Sequence, residues 1–424
     1  MTSIEKTNVV HFALDVGEQL LTSGGEVGRA EDTVSRICMA YDAVRVDAFA
    51  IASAIMVTVT WEDGTSISEG RRVRSPKKNM RRLERLNALS RKVCYEHFPL
   101  TEAKAEYTKI MQKDRFSIGR ELLGAIVVAL TCTLFFGGTW NDALIAPLVG
   151  VSIVFTQILS SKIGGNRMLS QMMSAFIASS IAIFGVALNV GSSVEQIMIG
   201  CVMILIPGIA FTHAVENLIT GDTLSGLLSS CEAIFVALAL AFGFAVSMLM
   251  FGGFLPEIPS QGIAIAGSMT AVVQIVTAGG MAIGFALLFG LHGKELAVVG
   301  VGSALTWSIY LGMFALTSGN IAVSTFVAAV FGSLAAIWSS QLLKAPKTVF
   351  LFPLLVSLVP GSDLYRTMQA ALEWNTDGIK TAGKNTVTFA FAIAFGIIVS
   401  VVYQQANMKI KARILEKRRA AKRK

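Results

Sequence analysis

The chain has 424 residues, of which 53% are hydrophobic and only 15% charged. A soluble globular domain carries about 25% charged residues, so an ordinary soluble protein is excluded. The formal net charge of +8 belongs to the last 16 residues, which hold nine Lys/Arg and one Glu. The remainder nearly cancels, so no basic nucleic-acid-binding face is expected.

Residues 1–118 contain 18 Lys/Arg and 16 Asp/Glu, the balance of a soluble domain. The opening MTSIEKTNVVHFALDVGEQL lacks a basic start followed by an apolar run, so no signal peptide is expected. Apolar residues at helical spacing predict helices over 8–22 and 30–41, the second through Val34, Ile37, Cys38 and Tyr41. Residues 44–60 are β-branched and apolar, and Asp63-Gly64 turns them into a second strand over 65–69. A basic amphipathic helix follows over 77–95 through Met80, Leu83, Leu86, Leu89 and Val93. A last helix capped by Thr101 runs to about 113. This is a small α+β domain. Gly24, Gly25 and Gly28 suit a phosphate loop, but no G-K-S/T and no preceding strand accompany them. Arg29, Glu31 and Asp32 fit an ordinary acid-rich helix start. His11 and His97 have no nucleophile beside them, so no catalytic residues are expected. Cys38, Cys94, Cys132, Cys201 and Cys231 lie far apart, giving neither a disulfide framework nor a metal site. No cofactor is implied.

From residue 119 onward, 20 charges are spread over 290 residues. A spanning helix needs about 20 mostly apolar residues. Such runs occur at 119–138, 142–160, 168–189, 197–219, 224–251, 264–290, 295–315, 320–341, 348–372 and 385–404. The expected fold is therefore a polytopic α-helical membrane protein of ten spans. Loops 1–2, 3–4, 5–6 and 7–8 contain no Lys or Arg, whereas the opposite loops hold Lys162, Arg167, Lys294, Lys344 and Lys347. The positive-inside rule then puts both termini in the cytoplasm, and the basic tail beside anionic lipid.

The stretch ILIPGIAFTHAVENLITGD at 204–222 resembles SLVPGSDLYRTMQAALEWN at 357–375. A shift of 153 residues aligns Pro207-Gly208 with Pro360-Gly361 and keeps the spans in order. Each unit has five spans, so the second enters the membrane inverted, an arrangement typical of secondary transporters. The expected organisation is a cytoplasmic domain over 1–118, repeats over 119–251 and 264–404, and a tail over 405–424. Pro and Gly loosen a helix and free backbone groups, so the paired Pro-Gly breaks point to the binding site.

Charges inside spans mark function. His213, Glu216 and Asn217 follow the first break, with Asp222 next and Glu232 inside span five. Asp363, Tyr365 and Arg366 follow the second break. Lys384 and Asn385 open span ten, with Asn385 opposite Glu232 under the shift. Arg366 suits a substrate carboxylate; the alternative is an edge charge paired with Asp363 or Glu373. Glu216, Asp222 and Glu232 are candidates for a coupling proton, against loop or cap roles.

Three segments, SGGEVGRAEDTVSRICMAY, PGIAFTHAVENLITGDTLSGL and LVPGSDLYRTM, resemble the threonine/serine exporter family (ThrE) from about residue 10 to 404. The resemblance implies a fused two-unit exporter in the cytoplasmic membrane, driven by the proton motive force and not by ATP. It also implies an acidic residue after the first Pro-Gly, matched here by Glu216 beside Asn217. Relatives with the two units as separate chains are associated with succinate export. The family has been credited with a hydrolase-like N-terminal domain, but no triad supports that here. The expected function is proton-coupled export of small carboxylate metabolites, threonine and serine first. Pro207, Gly208, Asn217, Pro360, Gly361, Tyr365, Arg366 and Asn385 would bind substrate. Two alternatives stand: dicarboxylate export with Lys384 as a second cation, or a membrane-anchored enzyme with activity in residues 1–118. Homo-oligomerisation is left open.

Overall fold

The computed structural model describes the chain except residues 1, 52, 74–78, 97, 114–117, 165, 206–213, 215–217, 219–220, 222, 256–266, 344 and 423–424. Side chains are also not described at 96, 113, 267–269, 372 and 408–422. The chain is mostly helical, with one small sheet near its start.

Two compact units form. The first gathers Met1–Ala125, the described part of Ile209–Phe235, and Phe285–Leu296. Its helices are α1 (Ser3–Thr22), α2 (Val27–Ala40), α3 (Met80–Glu96) and α4 (Leu100–Lys113). A capping box starts α1: Thr2 N donates to Glu5 Oε2 at 2.7 Å and Glu5 N to Thr2 Oγ1 at 3.2 Å. Gly24, at φ 95°, turns α1 into α2. A Cβ on Gly25 would lie 2.9 Å from the Leu20 carbonyl oxygen. Turn and packing thus account for Gly24 and Gly25 of the would-be phosphate loop, whereas a Cβ on Gly28 would meet nothing within 4 Å.

The predicted single strand over 44–60 is two strands. β1 (Ala43–Ile51) and β2 (Ala54–Trp61) pair antiparallel, and β3 (Ser66–Arg72) follows the turn at Gly64. Apolar and small residues continue in sequence from β1 into β2, so composition hides the break between the two strands. Ala50, Ile55, Val57, Val59 and Trp61 pack inward with Phe12, Leu14, Ile37 and Leu83. Glu31 accepts from Ala50 N at 2.7 Å, and Asp32 pairs with Arg36 at 2.8 Å. These acids thus tie α2 to β1 and brace α2 itself. His11 pairs with Glu69 at 2.8 Å. His97 lies outside the described residues.

In this unit α3 meets the turn at 289–295. Met80 N donates to Phe289 O at 3.0 Å. Burial, and then the neighbouring Glu295, push the Glu84 carboxyl above the usual glutamate range.

The second unit holds Ile126–Gly208, Val236–Gly284 and Ala297–Lys424. The remaining helices of the chain are α5 (Ile118–Phe135), α6 (Trp140–Ile163), α7 (Arg167–Ala187), α8 (Val194–Leu205), α9 (Thr223–Phe251), α10 (Gly267–Leu288), α11 (Lys294–Leu316), α12 (Ile321–Leu343), α13 (Lys347–Leu355), α14 (Gly361–Leu372) and α15 (Thr376–Lys422). Among the described residues eight helices are long and apolar enough to cross a membrane. A pair bent by 59°, Lys347–Leu358 with Gly361–Ala371, makes a ninth if it counts as one span. Of the fourth predicted span, Val194–Leu205 is the described helix. Only 28–50% of each span's apolar window is buried. Leu144, Leu148, Phe155 and Leu159 of α6 are exposed while Ala146, Val149 and Ile153 are buried. Such an apolar outer face is stable against lipid; this is a multi-pass membrane protein.

One predicted boundary moves. Lys384 and Asn385 do not open the last span, because α15 starts nine residues before Asn385, at Thr376. Helix α15 also runs on through the basic tail to Lys422. Lys and Arg are good helix formers, so their charge does not end it.

Features 153 residues apart coincide. Helices α5 and α10 end at 135 and 288, α6 and α11 at 163 and 316. Helix α8 matches α13 plus its short 3-10 extension over 356–358, and α9 and α15 start at 223 and 376. Left-handed residues coincide too: Gly137 (φ 89°) with Gly290 (83°), and Gly221 (89°) with Trp374 (55°). Gly138 N donates to Thr133 O at 2.8 Å; Leu291 N donates to Ala286 O at 2.9 Å. Asp142 accepts from Thr139 N at 2.8 Å, and Glu295 from His292 N at 3.2 Å. A Cβ on Gly243 would lie 2.4 Å from the Met172 carbonyl oxygen, and one on Gly396 2.6 Å from the Ala329 side chain. Small residues let membrane helices approach this closely.

The close packing is open to test. Gly243→Leu should cost about 1–3 kcal/mol through overpacking. Gly312→Leu, where a Cβ meets nothing within 4 Å, should leave the thermal midpoint of the detergent-purified protein unchanged. Glu84 supplies a test in pH. Its raised value means that the folded state holds its proton to higher pH than the unfolded state does. Stability is then full below the ordinary glutamate range and is lost as pH rises through the raised value. Thermal midpoints taken from about pH 4 to pH 8 should fall less steeply in Glu84→Gln than in the wild type.

Candidate functional site

The second break is built by proline chemistry. Pro353 lies inside α13 and removes one ladder donor. The helix tightens into a 3-10 turn over Val356–Leu358, and Val359 is extended at φ −64°, ψ 125°. Pro360 then stops the ladder. Gly361 N donates to Val359 O at 2.7 Å, and Leu364 N to Pro360 O at 2.9 Å, opening α14. Residues 351–358 and Gly361 are all buried. Backbone that leaves the helical ladder in a membrane must be housed in protein or line a cavity, and here Val359 and Pro360 are half-buried between buried neighbours on both sides.

Beyond the break, α14 lies between two partners, packing on α15 and on α8. Arg366 Nε donates to Glu195 Oε1 at 3.0 Å, both side chains being partly exposed (36% and 40%). Glu195 is in the first turn of α8, where the helix dipole favours an anion. Asp363, in the first turn of α14, accepts from Asn385 Nδ2 of α15 at 3.4 Å. The Tyr365 ring packs edge-on against Phe244 at 5.4 Å, beside the core formed by α6, α7, α8 and α9. An aromatic row of Trp307, Tyr310 and Phe389 runs beside α15, with centroids 4.5 and 6.2 Å apart.

Of the sequence-predicted residues, the structure thus brings together Pro360, Gly361, Tyr365, Arg366 and Asn385. Pro207, Gly208, His213, Glu216, Asn217 and Asp222 lie outside the described residues. Glu232 is half-buried in α9 and belongs to the first unit. Lys384 is exposed on α15. The partner of Arg366 is Glu195, 171 positions away, and neither Asp363 nor Glu373. Sequence patterns pass over Glu195, which stands in a loop-edge VEQ with no local signal. They also pass over Asp142. This carboxylate is 1% exposed and accepts from Thr139, Ser192 N (2.6 Å) and Ser193 N (3.0 Å), pinning the 3–4 loop to α6. Among the described residues no group of three His, Cys, Asp or Glu could hold a metal.

A multi-pass helical protein with a broken span and charged side chains at the break has the build of a membrane transporter. The chain belongs to the threonine/serine exporter family. One family model, "Putative threonine/serine exporter" (ThrE), matches residues 11–251, and a second, "Threonine/Serine exporter, ThrE", matches 274–403. A "Probable threonine/serine exporter" of Mycobacterium tuberculosis is 21% identical over 92% of this chain and 75% of its own length. The "Threonine/serine exporter" of Corynebacterium glutamicum is 22% identical over 93% and 81%. A "Probable succinate transporter subunit YjjP" of Klebsiella aerogenes is 24% identical over 58% of this chain and 96% of its own. No solved structure gives a significant match.

The ion pair is directly testable. Glu195→Gln, Arg366→Gln and the double variant should show a coupling of about 0.2–1 kcal/mol in thermal stability, as for partly solvated pairs. Strict additivity would mean that the pair does not form in the membrane.

Proposed function

We propose that this protein is a secondary active exporter of small carboxylate metabolites, threonine and serine first, driven by the proton motive force across the cytoplasmic membrane. The observation that carries this reading is the Arg366 guanidinium, which holds a carboxylate six residues past a housed helix break. A fixed planar cation that already binds one carboxylate suits another.

In this reading Arg366 holds the substrate carboxylate. Tyr365 keeps α14 seated through Phe244, and Asn385 and the backbone at Pro360-Gly361 complete the near side. Pro207-Gly208 and Asn217 supply the matching half from the first repeat. Glu216, Asp222 or Glu232 carries the proton, as acidic groups within or beside apolar spans are the default carriers of a coupling proton. The membrane part is ten spans in two inverted five-span repeats, 119–251 and 264–404. The coincidence of helix ends, left-handed turns and close-approach glycines at a 153-residue offset supports this. The domain over 1–118 and the tail over 405–424 face the cytoplasm, as the loop charges favour. The cytoplasmic domain acts as a gate or cap, not as an enzyme.

A second reading, dicarboxylate export, is favoured by the succinate transporter subunits among the relatives. Counterflow in proteoliposomes separates the two. Vesicles loaded with unlabelled threonine, serine or succinate are supplied with each labelled compound, with and without a pH gradient. Threonine or serine exchange is expected; exchange of succinate alone would replace the first reading by the second. Arg366→Ala should reduce exchange to background while inserting normally. Glu232→Gln should keep exchange and lose its response to the pH gradient; an unchanged response would remove Glu232 as the proton carrier.

A further inference from the structure

Resting on the exporter reading, we propose that Asp363 and Arg366 form a two-ended clamp for a zwitterion, with Asp363 taking the substrate ammonium and Arg366 its carboxylate. Asp363 is thereby the residue that selects amino acids over dicarboxylates.

Asp363 and Arg366 are three residues apart on α14. Side chains at this spacing lie on one helix face, about 5–6 Å apart at Cβ. Opposite charges so placed would ordinarily pair with each other, yet each reaches to a different neighbour. Arg366 holds the Glu195 carboxylate of α8 at 3.0 Å. Asp363 holds the Asn385 amide N–H of α15 at 3.4 Å. The two contacts are a carboxylate on the cation and an N–H donor on the anion. These are the two ends of an α-amino acid, supplied here by the protein itself. A substrate that offers both would replace Glu195 and Asn385 together. That exchange of like for like keeps both Arg366 and Asp363 paired, and it releases a Glu195 carboxylate that is already partly exposed.

The surroundings favour an ammonium at the Asp363 end. Asp363 and Asn385 lie beside the aromatic row of Tyr310 and Phe389, the latter one helical turn after Asn385. Aromatic faces attract cations. A dicarboxylate, by contrast, would bring its second carboxylate against Asp363. That like-charge contact is a device for rejecting the wrong ligand.

The test is ligand affinity of the detergent-purified full chain, measured by calorimetry for serine and for 3-hydroxypropanoate, which is serine without its ammonium. The wild type should prefer serine by at least about tenfold, the factor that corresponds to ~1.4 kcal/mol. Asp363→Asn, which keeps the shape of the side chain, should weaken serine by about tenfold or more and leave 3-hydroxypropanoate within about twofold. Asp363→Glu should retain the preference for serine. Equal weakening of both ligands by Asp363→Asn would overturn the clamp and leave Asp363 a helix-capping residue. Equal affinity of the wild type for both ligands, or no serine binding, would overturn it without any variant. The exporter reading fails separately: serine bound with the predicted preference but never exchanged in vesicles would leave the clamp standing and remove export.

Discussion

In the hydrocarbon core no water is available to a backbone N–H or C=O, so every departure from the helical ladder must be compensated by protein. The chain departs at Val359-Pro360, and much of the surrounding architecture follows from housing that departure. Pro353 and Pro360 unwind the chain, residues 351–358 before the break are buried, and Gly361 N closes onto Val359 O. The bend of 59° redirects α14 so that it meets both α8 and α15. Only because of this redirection can Arg366 reach Glu195, far away in sequence, and Asp363 reach Asn385.

Close helix packing makes such housing feasible. Gly243 lies against α7 and Gly396 against α12, each with no room for a Cβ. Ser180 and Ser247 hydrogen-bond at 3.0 Å, while Ser333 and Ser400, their counterparts 153 residues on, are both buried. The hydrophobic effect does not drive helices together in lipid, so small residues and hydroxyl contacts must hold the bundle. The first unit is organised differently. Its core is large and apolar, with Phe12, Leu14, Ile37, Ile55 and Leu83 almost fully buried, so burial of apolar area stabilises it.

The membrane class and most span positions are legible in the sequence because successive apolar runs of about 20 residues match the thickness of a bilayer and little else. The broken span is legible through a single dipeptide, Pro360-Gly361, because proline and glycine change the backbone directly. The bend at Pro360 and the charge at Arg366 can therefore be read from sequence, whereas the partner of Arg366 cannot. Glu195 carries no motif, and its role arises from a contact across 171 positions. The break between β1 and β2 is hidden because small and apolar residues continue through it. The start of the last helix is hidden because Thr376–Lys384 is largely polar, and hydropathy marks membrane depth, not helix ends.

In the proposed transport cycle the segment just beyond the break at Pro360 meets the substrate. Ser362 stands there, half-buried, between Gly361 and Asp363. With the five native cysteines replaced, a Ser362→Cys variant in membrane vesicles can be labelled by a small water-soluble thiol reagent. Threonine or serine should slow this labelling at concentrations that support exchange, and a Ser318→Cys variant at the exposed position just past the end of α11 should be labelled equally fast with or without them. Labelling of the Ser362→Cys variant that threonine and serine leave unslowed, while that variant still exchanges either one, would contradict the claim.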